Sequence, residues 1–543
     1  MDPRRRYRAT LWLFVLTATS LAQQPERTAV FAGTVRDALT GQPLAHAAVR
    51  LLPKSNGDGY QAITDASGAF HFNALPALQY RFETARTGYE DSHLAILKEG
   101  DSSVSIVQLA AGQSVADARI VLQPEGAISG RVTDADGAPM AASPVNAIGI
   151  RWDRGQRHYE VFASGVTDAA GNYRLRAASG RYYIQAVGPR SNGPVPGIFA
   201  TEPGGPEMKL ATIYYPAAKE IEAGATVEIH PGQQLSGIDF KLPLAPCYHV
   251  RGVVRSTQSQ PGAGLMLLSR NAGWSLLTSS GGGSVRPDGS FDIPGVLPGH
   301  YSLQFFPPGR NPGGLAIDIT DRDINGVQLA AMPRLDVKGA VRVDGPAPEP
   351  PAFVEFRSID PALFDTGDRT TPKNGAFSFR GLPPRRFAVL TNPGFYVESV
   401  SADGRELPGG IVDLTHGVPG EIEIVVGQAA GQIEGSLHLS GDAAFPEATA
   451  VLVSADGQTG NTGARSAAID PGGRFRFSPV PPGRWYVFAV PHFEEGLWQN
   501  MEFVSAMSAQ GAAVTVSGNT GAPVEVSLVS MDDLNRAAGG VAR

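Results

Sequence analysis

One cysteine in 543 residues, Cys247, excludes an intrachain disulfide framework, and no cysteine follows the N-terminal apolar run to carry a lipid. Its setting at the start of a strand-like run points to a small buried apolar residue rather than a reactive thiol. Lysine is almost as scarce, at seven, and with a formal charge of −7 there is no basic block to meet a phosphate backbone, so no nucleic acid is expected as a partner. After the first two dozen residues no apolar run has the length of a membrane helix. Catalytic motifs are missing as well. No nucleophile elbow, P-loop or dinucleotide fingerprint appears, and the sole HxxE, His492 to Glu495, has no histidine after it to complete a zinc site. The expectation is a protein that is not an enzyme and takes no cofactor.

What the chain does have is turn material. Gly (65) and Pro (43) make up about a fifth of it, above the usual share, while a hydrophobic fraction of 42% is that of folded protein. The start, MDPRRRYRATLWLFVLTATSLAQQ, joins a basic stretch (Arg4, Arg5, Arg6, Arg8) to a short apolar core and small residues before Gln23. This reads as a signal peptide over residues 1–22, the alternative being an N-terminal membrane anchor, for which the run is short. Removing it would take away four Arg and one Asp and move the formal charge to −10. The mature chain is expected to be exported to the periplasm, the cell surface or the medium, with no membrane span.

Three anchor motifs recur five times in the same order. The first is apolar-x-Gly-x-apolar, centred on Gly33, Gly130, Gly252, Gly339 and Gly435, at intervals of 97, 122, 87 and 96 residues. That is the scale of a β-sandwich. The second lies 35 to 41 residues on: a turn glycine (Gly68, Gly171, Gly289, Gly375, Gly473), then an aromatic (Phe70, Tyr173, Phe291, Phe377, Phe475) and a second apolar residue two further on. Period-two alternation of this kind marks a half-buried strand. Asp65, Asp168 and Asp470 precede three of the turn glycines by three residues and are suited to closing the turn on the backbone. The third anchor follows nine or ten residues later: Tyr80, Tyr182, Tyr301, Phe387 and Trp485. Second and third anchors read as the two arms of a hairpin with inward rings, and the first-anchor glycine as space for a ring from the opposing sheet.

The stretches GTVRDALTGQPLAHAAVRLL and ITDASGAFHFNALPALQYRFETARTGY resemble the carboxypeptidase regulatory-like domain, as do GAISGRVTDADGAPMAASPV and GVTDAAGNYRLRAASGRYYIQAVG. The resemblance implies a prealbumin-like sandwich, akin to starch-binding-like and collagen-adhesin B-type modules, with no catalytic residue to carry over. The fold class expected is all-β: a tandem array of about five antiparallel sandwiches after the signal peptide. The expected bounds are 26–123, 124–244 (with a long loop insertion), 245–332, 333–427 and 428–531, with 532–543 as a polar tail. Short, partly proline-bearing joins suggest a semi-rigid rod, about 170 Å long for five domains in line.

Binding candidates are few. Trp152, Tyr159, Tyr214, Tyr215, Trp274 and Trp498 lie in irregular or looping segments and could present rings to a sugar, or else plug those loops onto the sandwiches. DRDING offers Asp321, Asp323 and Asn325 as half of a calcium loop, but Met332 stands where the closing Glu belongs. A polysaccharide or another envelope protein is the expected partner of a binding scaffold. The remaining alternative is an accessory subunit of a peptidase or an outer-membrane transporter.

Overall fold

The computed structural model describes residues 28–541 apart from 55–57, 94, 98–102, 105, 154, 190–197, 201–205, 256–263, 270–281, 307–312, 331–332, 346–350, 360–367, 393, 439–447, 456–463, 471, 492, 518–519 and 522. The signal-peptide segment, Trp274 and His492 therefore lie outside the described residues. The chain forms two compact units, one of Met1–Thr87 with Asp91–Leu122 and the other of Gly88–Glu90 with Gln123–Arg543.

Unit one holds one repeat. Its opening strand, Ala29–Asp37, alternates buried and half-buried residues along its length, as the sequence pattern requires. It pairs antiparallel with Ala69–Leu75 and parallel with the closing strand Ser114–Leu122. A second sheet runs in the order Tyr60–Ile63, Ala48–Pro53, Gln79–Ala85, Ile106–Gln108. Unit two writes the same two-sheet plan four more times, with opening strands Gly126–Asp134, Tyr248–Arg255, Leu335–Asp344 and Gly431–His438, each parallel to its closing strand. Among the described residues the protein is all-β, apart from short 3-10 turns and three helices in repeat five.

The second and third anchors are not hairpin arms. Phe70 lies in the sheet of the opening strand and Tyr80 in the facing sheet, and the same division holds in every repeat. The connection, proline-bearing except in repeat two, crosses the sandwich instead of turning within a sheet. Alternation fixes which face a residue points to; it is silent about which sheet carries the strand. The crossing is pinned by the third anchor's polar tip. Tyr80, Tyr182 and Tyr301 donate their hydroxyls, and Trp485 its indole N–H, to the carbonyl four residues back, at 2.8–3.1 Å. A buried ring with a polar edge fits this place because its body fills the core while its tip satisfies a loop carbonyl.

The first-anchor glycine also has a different neighbour from the one expected. Each is paired directly across the sheet with its own second-anchor ring: Gly33 with Phe70, Gly130 with Tyr173, Gly252 with Phe291, Gly339 with Phe377, Gly435 with Phe475. On its other side the parallel closing strand turns a backbone carbonyl toward it, from Ala118, Ile238, Val327, Ile422 and Val524 in turn. In repeats one and three an extra closing-strand residue opposite the glycine produces this bulge. A Cβ there would overlap that carbonyl, and in repeats three to five the ring as well. The ring from the neighbouring strand lies over the bare backbone.

The turn glycines behave as their positions predict: Gly68, Gly171, Gly289, Gly375 and Gly473 all have φ between 73° and 84°. Their carbonyls each accept an N–H from the opening strand, donated by Val35, Val132, Val254, Val341 and Leu437 at 2.7–2.8 Å. One Asp65 oxygen accepts from Ser67 and Ala69 N–H, which together with the Ser67 hydroxyl holds that carboxyl below the ordinary range. Asp168 and Asp470 close their turns alike, and in repeat three Asp288 does so from nearer the glycine.

Repeats two to five each bury a separate apolar cluster. Repeat five adds a second one outside its sandwich. Here α1 (Glu495–Trp498), α2 (Met501–Met507) and α3 (Met531–Val541) contribute to a layer over the outer face of Thr449–Ser454 and Gly483–Val490. Residues expected as a polar tail are thus mostly helix, with Leu534 buried and Ala537, Ala538 and Val541 half-buried against the cluster.

Candidate functional site

Repeat two carries the longest excursion and most of the aromatic candidates. Its strands Pro144–Asp153 and Gln156–Val166 form a long hairpin whose tip reaches beyond the sandwich. Tyr159, 3% exposed, packs edge-on to Tyr183 under Ile221 of the excursion, and burial pushes its hydroxyl pKa up. Tyr214 is half-buried and its hydroxyl accepts from Gln185 Nε2 at 3.0 Å, while Tyr215 packs against the Phe240 ring. Trp152 is 8% exposed and Trp498 1%. None of these five rings stands open as a platform for a pyranose face. As placed, these five rings cover loops and layers.

Trp152 seals something further away. Its indole joins the outer cluster of repeat five with Phe488, Leu497, Trp498 and Phe503. Around it the Trp152 N–H donates to Glu494 Oε1 at 2.9 Å, the Gly155 N–H to the Gly496 carbonyl at 2.9 Å, and Asn500 Nδ2 to the Gly155 carbonyl at 2.7 Å. Asn500 at the same time caps α2 by accepting the Phe503 N–H. Glu494, which stands just before the Glu of the isolated HxxE, thus accepts a main-chain N–H. Repeats two and five touch across 340 residues of sequence, so the second to fifth repeats do not lie in line and the rod expectation fails for unit two. Beyond the strand of Trp485 the segments Glu495–Trp498 and Met501–Met507 are helices, and they build the socket.

Of the three calcium candidates, Asp323 is engaged within the fold. Asp323 accepts the His249 N–H at 2.9 Å and an Arg251 N–H at 2.6 Å, and these bonds hold its carboxyl low. Asp239 does the same in repeat two, accepting the Arg131 N–H. Asp321 lies in the exposed turn beside Thr320, and Asn325 is exposed in the closing strand. Among the described residues no group of three or more His, Cys, Asp or Glu is placed to hold a metal.

A polar cluster that sequence reading missed lies where the excursion meets repeat three. Glu207–Leu210 pairs with Leu244–Pro246, strapping the join between the repeats. His249 places Nδ1 2.6 Å from Asp292 and Nε2 3.2 Å from Glu207. Burial works against the Asp292 charge, but His249 and Arg251 outweigh it and keep the carboxyl low. Cys247 is buried beside this strap, its N–H on the Glu207 carbonyl, and burial raises its thiol pKa. The fold thus buries Cys247, the place that its sequence setting implied.

The family profile of the carboxypeptidase regulatory-like domain matches residues 30–123. The first repeat is similar to that family. No curated protein matches the chain significantly in sequence. Among solved structures, the Bacillus anthracis TIE protein is 13% identical, with 56% of this chain and 51% of that one covered at a TM-score of 0.17. The chain therefore spans about half the length of that protein. The minor pilin GBS52 of Streptococcus agalactiae is 15% identical over 40% of this chain and 97% of its own, at a TM-score of 0.22. The shaft pilin SpaA of Lactobacillus rhamnosus GG is 12% identical over 41% and 98%, at 0.20. Among the described residues no helix is long and apolar enough to cross a membrane.

Proposed function

We propose that the chain is an exported, non-enzymatic scaffold of the cell envelope. Its repeats would be separate folding domains at 26–123, 124–244, 245–332, 333–427 and 428–531, the last extended by α3. One observation carries this reading: every residue type that the sequence repeats is consumed by the sandwich itself. The rings are buried, four third-anchor tips are tied to loop carbonyls, and the repeated aspartates close turns. What varies from repeat to repeat is the outer layer and the loops, and a partner would be met there or on an edge strand by strand addition. Another envelope protein fits this better than a polysaccharide, because the five candidate sugar-stacking rings among the described residues are buried or half-buried.

Two measurements test it. Limited proteolysis should give resistant fragments of about 10 kDa, the mass of one repeat. Incubation of the full chain with envelope extract and with a polysaccharide panel should return every captured molecule at unchanged mass. A cleaved or transferred product overturns the non-enzymatic reading, and retardation in a polysaccharide gel that Trp152→Ala abolishes restores the sugar one.

A further inference from the structure

The contact between repeats two and five is built on two glycines, one on each side. A Cβ on Gly496 would overlap the Trp152 carbonyl. On Gly155, at a φ of 76°, a Cβ would crowd the Gln499 carbonyl and the Asn500 backbone. Two backbones approach this closely only where both lack a side chain. Glu494 and Asn500 supply the polar partners for the main chain that the tip buries.

The contact is also small and separable. Trp152 is the one buried member of the outer cluster that comes from repeat two; the other described members belong to repeat five. Neither sandwich core includes it: repeat two closes on Val132, Tyr173 and Ile184, and repeat five on Leu437, Phe475 and Val487. Withdrawing the tip would expose the Trp152 indole and break the three hydrogen bonds described above, while leaving both sandwich cores packed.

From this geometry we propose that the tip at Trp152 and Gly155 and the socket at Glu494–Asn500 form a releasable clasp. Closed, it folds the second to fifth repeats back on themselves. Open, it lets the array lengthen with every sandwich intact. The device does not depend on what the chain binds, so it stands or falls apart from the scaffold reading.

Small-angle scattering and sedimentation velocity on the full chain test it, with hydrogen exchange followed in parallel. Gly496→Val wedges the socket side and Trp152→Ala empties the tip side. Both should raise the radius of gyration by on the order of a tenth or more, at unchanged molecular mass and unchanged protection of both sandwich cores. Val166→Ser, at the exposed far end of the same hairpin, should leave the radius where it was. An unchanged radius in both clasp variants overturns the proposal, as does expansion accompanied by loss of core protection, which would mean unfolding. Concentration-dependent dimers of the unaltered chain that Gly496→Val dissolves would also overturn it, since the tip would then be engaging a second copy.

Discussion

Repeats three and five share one inner lattice and differ in what covers it. In repeat three the strand Gly299–Phe306 alternates, with Tyr301, Leu303 and Phe305 buried and Ser302, Gln304 and Phe306 only half-buried. The matching strand of repeat five, Gly483–Val490, buries Val487, Phe488, Ala489 and Val490 in succession. Its inward residues meet the sandwich and its outward ones, Phe488 and Val490, meet the helices and the Trp152 tip. The same position that carries Gln304 in one repeat carries Phe488 in the other. The pair shows how a fold that repeats its core acquires individuality: outward positions become apolar where a layer is added.

The sharpest way to break the comparison is at that position. Phe488→Ala should cost about 4 kcal/mol in repeat five and loosen the helical layer, because the ring contacts Trp498 at 4.7 Å between centroids. Gln304→Ala should stay within about 0.5 kcal/mol. Calorimetry on the full chain reads both, and equal losses would erase the distinction. Next, Gly252→Val and Gly435→Val should each cost about 3 kcal/mol, since the Gly–ring–carbonyl arrangement is common to the two repeats; unchanged melting of either repeat contradicts that.

Repeat four extends the comparison, for its outward face carries charge. Glu355, 4% exposed, is gripped by Arg369 and Arg357 through both its oxygens. Burial opposes its ionisation, yet the two guanidiniums hold the carboxyl below its ordinary value of 4.5. A depressed folded value means that the stabilisation is complete above pH 4.5 and is lost as pH falls through the folded value. Acid melting of repeat four should show that loss, and Glu355→Gln should flatten it. The smallest effect belongs to the crossing loops: Tyr301→Phe should cost about 1 kcal/mol by leaving the Leu297 carbonyl without its donor. Phe387, which has no polar tip, serves as the natural reference in the same comparison.

The sequence made the lattice legible because its signals are local. A turn glycine with a ring two residues on fixes a strand's start and inward face, as at Gly68 and Phe70. Sheet membership was not legible, since Tyr80 alternates identically whether its strand turns back or crosses over. The bulge beside Gly252 was equally hidden: the gap is visible in the sequence, but the carbonyl that fills it comes from Val327, 75 residues away. The helices left a trace that period-two reading passed over. Phe503 and Met507 stand four apart after Asn500, a cap residue, and the lost alternation at Phe488 announces a covering layer. The fate of Trp152 was beyond reach, because an exposed and a buried tip are spelled alike until the socket at Trp498 is known.

Native-state hydrogen exchange on the full chain tests the common lattice most directly. The N–H groups of Val35, Val132, Val254, Val341 and Leu437, which all donate to turn-glycine carbonyls, should be among the slowest in their repeats. The amides of α1 and α2 should exchange earlier than Leu437. If those five differ widely in protection, or if the helices and Leu437 exchange as one, the idea of a shared core with separately added outer layers is wrong.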